Sequence, residues 1–331
     1  MDAQHRDQPA PTVGEVGELD VLDRIVRRLP VGAPIVGPGD DCAVLAAPDG
    51  RYVVTTDMMV HGPDFRWAWS SPEDIGWKAA ATNLSDVAAM GARPTGLVIA
   101  LAAPQDTPVT VLERFADGVR LAVEALAPGC GVVGGDLSTS STFTVAVTAF
   151  GDLAGHAPVL RSGARPGDVV AVSGELGRAG RGLARLFRDG VDGAGEPSRT
   201  ATVASGADAD PDVARQRRPV PPIGDGVLAA ESGATAMLDL SDGLAIDGGR
   251  LARASRVTLD LDPRAVPDAF VLHGGEDHGL LATFPAEAVL PGGFRRVGEV
   301  RDRAGHDVLR GGEAVPTTGW DPYADWDGAT G

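Results

Sequence analysis

Apolar residues fall at helical spacing over residues 19–29, behind a polar stretch, residues 1 to about 17, that predicts a disordered lead. Residues 51–56 read as a strand expected to end at Asp57. Ser71-Pro72-Glu73-Asp74 then marks a helix start: a capping serine, proline in the first position and acids at the positive end of the helix dipole. That helix is predicted to run to Met90 and stop at Gly91. Along it Trp77, Ala80, Leu84 and Val87 form an apolar stripe, while Asn83 and Asp86, three residues apart, share a face.

Further strands are predicted at residues 96–102, 131–133 and 142–150, with a helix over 111–126 between the first two. A second set begins at 168–173 and continues through a glycine-rich stretch, 174–182, into a helix carrying Leu183 and Leu186. It ends in a strand at 235–240, a tight turn at 241–243 and a helix at 245–255. Residues 190–222 are rich in Gly, Ala, Asp and Pro and poor in apolar side chains, which predicts a mobile insertion. Strands and helices mixed in two halves make the chain α/β (or α+β). The break is expected near residues 151–158, giving an N-terminal domain over 18–152 and a C-terminal one over 153–331.

Aspartates recur at the ends of the apolar runs, and this pattern carries the chemistry. They stand in Gly39-Asp40-Asp41, Thr55-Thr56-Asp57, Asn83-Leu84-Ser85-Asp86, Gly134-Gly135-Asp136 and Asp239-Leu240-Ser241-Asp242-Gly243. Several carboxylates in one site repel strongly unless cations join them. Mg²⁺ is the oxygen-loving choice, and carboxylate-held Mg²⁺ commonly also holds phosphate. The chain therefore reads as a metal-nucleotide enzyme.

Bulk properties narrow the partners. The net charge of −17 argues against nucleic acid or an anionic membrane. Two cysteines, Cys42 and Cys130, are too few for a disulfide framework and suit a reducing cytosol. The N-terminus lacks a basic-then-apolar signal, and no apolar run nears the roughly 20 residues that span a bilayer. A cytoplasmic protein is expected.

Each motif also has a plainer reading. Gly134-Gly135-Asp136, placed at a strand end, brings backbone close to a ligand or is simply a glycine turn. In Asp239-Leu240-Ser241-Asp242-Gly243 a strand enters a turn and a helix, whose free N–H groups suit a phosphate. Asp242 could merely cap that helix, but two acids flanking Ser241 exceed what a cap requires. Asn83 with Asp86, and Asp40 with Asp41, could be solvated surface. Arg161 could bind phosphate or be an ordinary surface arginine. His273 and His278, five apart with glycines between, fit no common zinc spacing, so the loop is read as presenting Glu276. Trp67, Trp69 and Trp77 suit a core, and Trp320 suits stacking on a ligand. Neither a Walker-type loop nor a dinucleotide fingerprint is present.

In this order the motifs resemble those of the thiamine-monophosphate kinases, within the superfamily of aminoimidazole ribonucleotide synthetase. The resemblance covers residues 20–320 apart from the insertion. It is carried by GDDCAVL (39–45), TTDMMV (55–60), NLSDVAAMGARP (83–94), VGGDLS (133–138), RSGARPGD (161–168), LDLSDGL (238–244) and GGED (274–277). It implies a two-domain protomer with ATP bound between the domains, N-terminal domains pairing in a homodimer, and conversion of thiamine phosphate to thiamine diphosphate. Several Mg²⁺ ions would be held by Asp40, Thr55, Thr56, Asp57, Asp86, Asp136, Asp239 and Asp242. ATP would meet Gly135, Asp136, Arg161 and Ser241, and thiamine phosphate would meet Asp64, Glu276 and Trp320. Asp136 and Asp242 would be the catalytic pair. Asp64 departs from the pattern, since the family usually carries histidine there; an aspartate can face the cationic thiazolium but repels a phosphate.

The acceptor phosphate, with a second pKa near ~6, arrives largely as a dianion and needs no catalytic base. Direct in-line transfer helped by charge neutralisation fits the absence of an obvious nucleophile. Two other readings stay open: a synthetase or dehydratase of the same superfamily, and a non-catalytic binder of nucleotide or thiamine phosphate.

Overall fold

The computed structural model describes residues 10–30, 32–35 and 45–317. Short helix α1 (Val13–Val16) and helix α2 (Glu18–Val26) precede β1 (Val53–Val60), α3 (Pro72–Ala89), β2 (Arg93–Ala103), α4 (Val109–Leu126), β3 (Val132–Thr139) and β4 (Thr144–Asp152). The four strands form one sheet in the order β1-β4-β2-β3, so β1 and β3 are its two edges.

Helices α3 and α4 cover one face of this sheet, where Leu84, Val87 and Phe115 pack against Ile99, Val145 and Val147. The opposite face carries exposed Val54, Thr56, Met58, Ala100 and Asp136. Helix α3 begins as its sequence dictates: Ser71 and Asp74 form a reciprocal capping box with Pro72 in the first turn. Its apolar stripe is broader than expected. Ile75, Lys78, Asn83 and Ser85 are buried as well, because α3 also packs on elements of the second half.

The second half opens with β5 (Val169–Ser173) and α5 (Arg178–Asp189), then α6 (Arg199–Ala204), a 3₁₀ turn, α7 (Pro211–Arg217) and α8 (Ile223–Glu231). After these come β6 (Ala236–Leu240), α9 (Leu244–Ser255), β7 (Thr258–Leu261), α10 (Ala269–His273), β8 (Gly279–Phe284), β9 (Arg295–Arg301), β10 (Val308–Arg310) and β11 (Glu313–Ala314). They build a seven-stranded sheet in the order β11-β10-β7-β9-β5-β8-β6. Its core includes Val170, Val172, Leu238, Leu251, Leu259 and Leu281.

Three expectations change here. Residues 190–222 lack an apolar run of their own, yet α6 and α7 fold against α5, and Val213 joins Trp69 and Leu186 in a small buried cluster. One or two buried side chains per short helix, Thr202 in α6 and Val213 with Gln216 in α7, suffice when a neighbouring helix supplies the rest of the core. Asp57 and the Gly134-Gly135-Asp136 motif lie inside β1 and β3 rather than at their ends. Edge strands can hold polar side chains along their whole length, so the end of an apolar run is not the end of such a strand. Gly135 is needed there, since a Cβ would stand 2.3 Å from the Ile99 carbonyl oxygen. No helix among the described residues is long and apolar enough to cross a membrane.

Candidate active site

A cleft of about 590 Å³ opens between the two halves, lined from both of them. From the first half come Asp57 on β1 and Asp86 on α3; from the second come Asp239 at the end of β6 and Ser241 and Asp242 in the turn before α9. Helix α3 fixes the β1 side: the Asp57 N–H donates to Asn83 Oδ1 at 3.1 Å, and Asn83 Nδ2 donates to the Ala79 carbonyl at 2.9 Å. The Thr55 hydroxyl donates to Asp86 at 2.8 Å.

The electrostatics record the crowding. Burial pushes the Asp86 carboxyl up to about 7, and the charges of Asp239 and Asp57 push the same way. Burial also raises Asp57, with Asp239 and Asp242 adding to it and His278 opposing. Burial alone would lower His278, but the Asp239 carboxylate 3.4 Å from its Nδ1 and the charge of Glu276 hold it above its ordinary value. Carboxyls that resist ionisation together are what a cation relieves. Among the described residues no three acid, imidazole or thiol side chains stand close enough to hold one ion. Mg²⁺ is commonly held by one or two carboxylates, with water and phosphate oxygens completing its octahedron.

Beyond Ser241 the expected phosphate seat is partly taken. Asp247, 1% exposed, accepts from the N–H groups of Asp242 and Gly243 at 2.9 and 3.1 Å. Burial, with Asp242 and Asp239 nearby, lifts its carboxyl to about 6 despite those two bonds. Arg250 pairs with both Asp242 and Asp247. It is therefore Asp247, and not Asp242, that receives the N–H groups of the turn, and among the described residues no side chain caps α9.

The loop 274–278 forms the far wall. Its backbone is bonded to the turn, Glu276 N–H to the Ser241 carbonyl at 2.7 Å and His278 N–H to the Leu240 carbonyl at 3.1 Å. Glu276 (φ +66) and His278 (φ +52) both sit in the left-handed region that side chains avoid, a strain characteristic of sites that fix a group's direction. Asp277 turns away and accepts from Gly177 and Ala179 at the start of α5. Glu276 faces the cleft, with Lys78 Nζ 2.5 Å from one carboxylate oxygen and Gln216 Nε2 3.3 Å from the other. Asp64 lines the same wall and accepts from the Val60 N–H at 2.7 Å; burial raises its carboxyl, and Lys78 opposes this. Next to it Arg66 lies over the rings of Trp69 and Phe187, with its guanidinium carbon 4.7 and 5.0 Å from their centroids.

The cleft thus gathers Asp57, Asp64, Asp86, Arg161, Asp239, Ser241, Asp242 and Glu276. Thr55 joins through Asp86. Thr56, Gly135 and Asp136 are not brought in by the same chain. Asp136 pairs across the sheet with Ala100, Ala100 with Ala146 and Ala146 with Met58, so three strand spacings, about 14 Å, separate it from β1. Thr56 and Asp136 share the sheet's exposed face. Asp40 and Trp320 lie outside the described residues.

Sequence reasoning missed Lys78, Gln216 and Asp247. Gln216 and Asp247 gave no signal, being ordinary polar residues on helices. Lys78 did: it is the single lysine in a chain with 28 arginines.

Comparison with known proteins places these residues in a family context. The model for the N-terminal domain of AIR synthase related proteins matches residues 39–153. Over 96% of this chain and 95% of its own length, a thiamine-monophosphate kinase of Mycobacterium tuberculosis is 41% identical. The crystal structure of the thiamine-monophosphate kinase of Stenotrophomonas maltophilia is 30% identical with a TM-score of 0.73, covering 89% of this chain and 96% of its own. A solved complex of AaThiL with AMPPCP and TMP is 29% identical with a TM-score of 0.68, covering 95% of this chain and 99% of its own.

Proposed function

This chain belongs to the thiamine-monophosphate kinase family and is a phosphotransferase with a phosphate group as acceptor, and from that premise we propose how its residues carry the transfer. The substrates are ATP and thiamine monophosphate, matching the ATP analogue and TMP held by AaThiL. The observation that carries the reading is the convergence of Asp57, Asp86, Asp239 and Asp242, from both halves of the chain, on one cleft where burial and neighbouring charge raise the carboxyls of Asp57 and Asp86.

Several Mg²⁺ ions would be held by Asp57, Asp86, Asp239 and Asp242 with Thr55, Thr56, Asp40 and Asp136, and would supply the charge neutralisation that lets two phosphorylated molecules meet. The chain's own groups do the rest. Arg161 and Ser241 orient the ATP phosphates, while Glu276 and Asp64 face the cationic ring of the acceptor; a contact of that ring with Trp320, which lies outside the described residues, is part of the same proposal. An acceptor phosphate oxygen forms the new P–O bond in line as the bond to ADP breaks, and no proton has to move because the acceptor is already ionised.

Gly135 and Asp136 join this site from a second copy in our reading. The exposed sheet face with Val54, Met58 and Ala100 favours pairing of two N-terminal sheets, which sets the β3 edge of one beside the β1 edge of the other. The partner's Asp136 then faces Thr56 and Asp57. Mixing inactive Asp57→Asn and Asp136→Asn proteins tests this: mixed dimers regain activity if the site is shared, and stay inactive if each chain builds its own. The reaction itself is tested by incubating the protein with ATP, Mg²⁺ and thiamine phosphate. Appearance of ADP without thiamine diphosphate would count for another synthetase of the superfamily, and ligand binding without turnover for a sensor.

A further inference from the structure

Lys78 is unlike every other cation of this protein. Lysine and arginine are interchangeable on most exposed surfaces, and this chain uses arginine at 28 positions and lysine at one. That one is not on a surface. It is 5% exposed on α3, lines the cleft, and sets its ammonium 2.5 Å from Glu276.

A buried cation tied to a carboxylate could serve packing alone, but an arginine would serve that better through its bidentate fork. What an ammonium offers instead is a compact point charge with three donors that turn freely about the last bond. Glu276 occupies one of these directions. Glu276 is itself held on its other oxygen by Gln216 and by a backbone in the left-handed region, so it anchors Lys78 rather than following it.

The charge around Lys78 indicates what the remaining donors meet. Asp64 and Glu276 both line this wall, and each repels a phosphate dianion. Of the other cations lining the cleft, Arg66 lies against Trp69 and Phe187, and Arg161 enters from the opposite half. We propose that Lys78 is a further catalytic residue, whose ammonium, aimed by Glu276, contacts the phosphate of the acceptor and offsets the repulsion of Asp64. This rests on the kinase reading above, since it needs an acceptor that carries a phosphate. A small ammonium can keep its contact while the acceptor oxygen closes on the transferred group, whereas a planar guanidinium fills that space.

The test uses Lys78→Arg, which keeps the charge, and Lys78→Met, which removes it. Both are compared with wild type in binding thiamine phosphate and unphosphorylated thiamine, followed by tryptophan fluorescence, and in turnover. We expect Lys78→Met to lose at least about tenfold in affinity for thiamine phosphate with thiamine binding unchanged, one charge-assisted contact being lost. Lys78→Arg should fold with a normal melting temperature yet lose at least about tenfold in kcat, the compact charge being misplaced. A Lys78→Arg enzyme with full turnover overturns the proposal. So does a Lys78→Met protein that binds both ligands equally weakly, or both as wild type does. If Lys78→Met does not fold, the kcat of Lys78→Arg decides alone. A wild-type protein that makes no thiamine diphosphate overturns the kinase reading and this inference together; an active wild type with indifferent Lys78 variants overturns the inference only.

Discussion

Strands β1 and β3 are the two edges of one sheet, and each carries an acid motif in mid-strand, Thr55-Thr56-Asp57 and Gly134-Gly135-Asp136. Their settings differ. Helix α3 lies over β1 and turns Asp57 and Thr55 toward a cleft shared with the second half. Asp136 projects from the opposite face, where it is exposed among the described residues. Two motifs of the same kind therefore serve one site only if a second molecule brings the β3 edge round to β1. A motif records what a side chain can bind, and the topology decides whose ligand it becomes.

The comparison breaks most sharply at Asp136. In Asp136→Asn we expect substrate binding to persist and kcat to fall by about 100-fold or more, the scale of losing one group that stabilises transition-state charge. Near-normal activity in a coupled ADP assay would remove Asp136 from the site and leave the β3 motif a purely structural part of its strand. Gly135 tests the strand itself. Gly135→Ala drives a Cβ to 2.3 Å from the Ile99 carbonyl, and we expect a loss of about 1–3 kcal/mol in urea unfolding from the forced backbone shift. An unchanged midpoint would mean that the edge yields freely.

On the β1 side the test is pH. The folded Asp86 carboxyl stands at about 7, above its ordinary 3.8, so its contribution to stability is fully present below 3.8 and is lost as pH rises through 7. Metal-free protein should gain stability from this group as pH falls from 8 to 6. A Mg²⁺ ion held by Asp86 would have to displace that proton, so its apparent affinity should weaken by about tenfold per pH unit below 7. A Mg²⁺ titration with the same midpoint at pH 6 and pH 8 would exclude Asp86 as a ligand. The smallest effect is expected at the C-terminal tail. Trp320→Ala should raise the KM for thiamine phosphate several-fold, about the worth of one aromatic contact, and that for ATP less. Equal changes in both would count against stacking on the acceptor.

Much of the fold was legible. The Ser71-Pro72-Glu73-Asp74 start and Gly91 stop give α3 almost to the residue, because capping is local chemistry between neighbours. The β6 turn before α9, with its acids, was legible for the same reason. Residues 190–222 were not, since α6 and α7 take their stability from α5 and not from their own sequence. Asp247 was read as nothing in particular; that it, and not Asp242, receives the turn's N–H groups is a matter of side-chain reach.

From its sequence alone, then, this protein fixes its local elements and its kit of acids, since both depend on residue type and short spacing. Only the tertiary structure decides that Asp57, Asp86, Asp239 and Asp242 share a cleft, that Asp136 points elsewhere, and that the lone lysine stands against Glu276. Those facts follow from which strands become edges and which helix lies between the two sheets, and such long-range packing leaves no local mark along the chain.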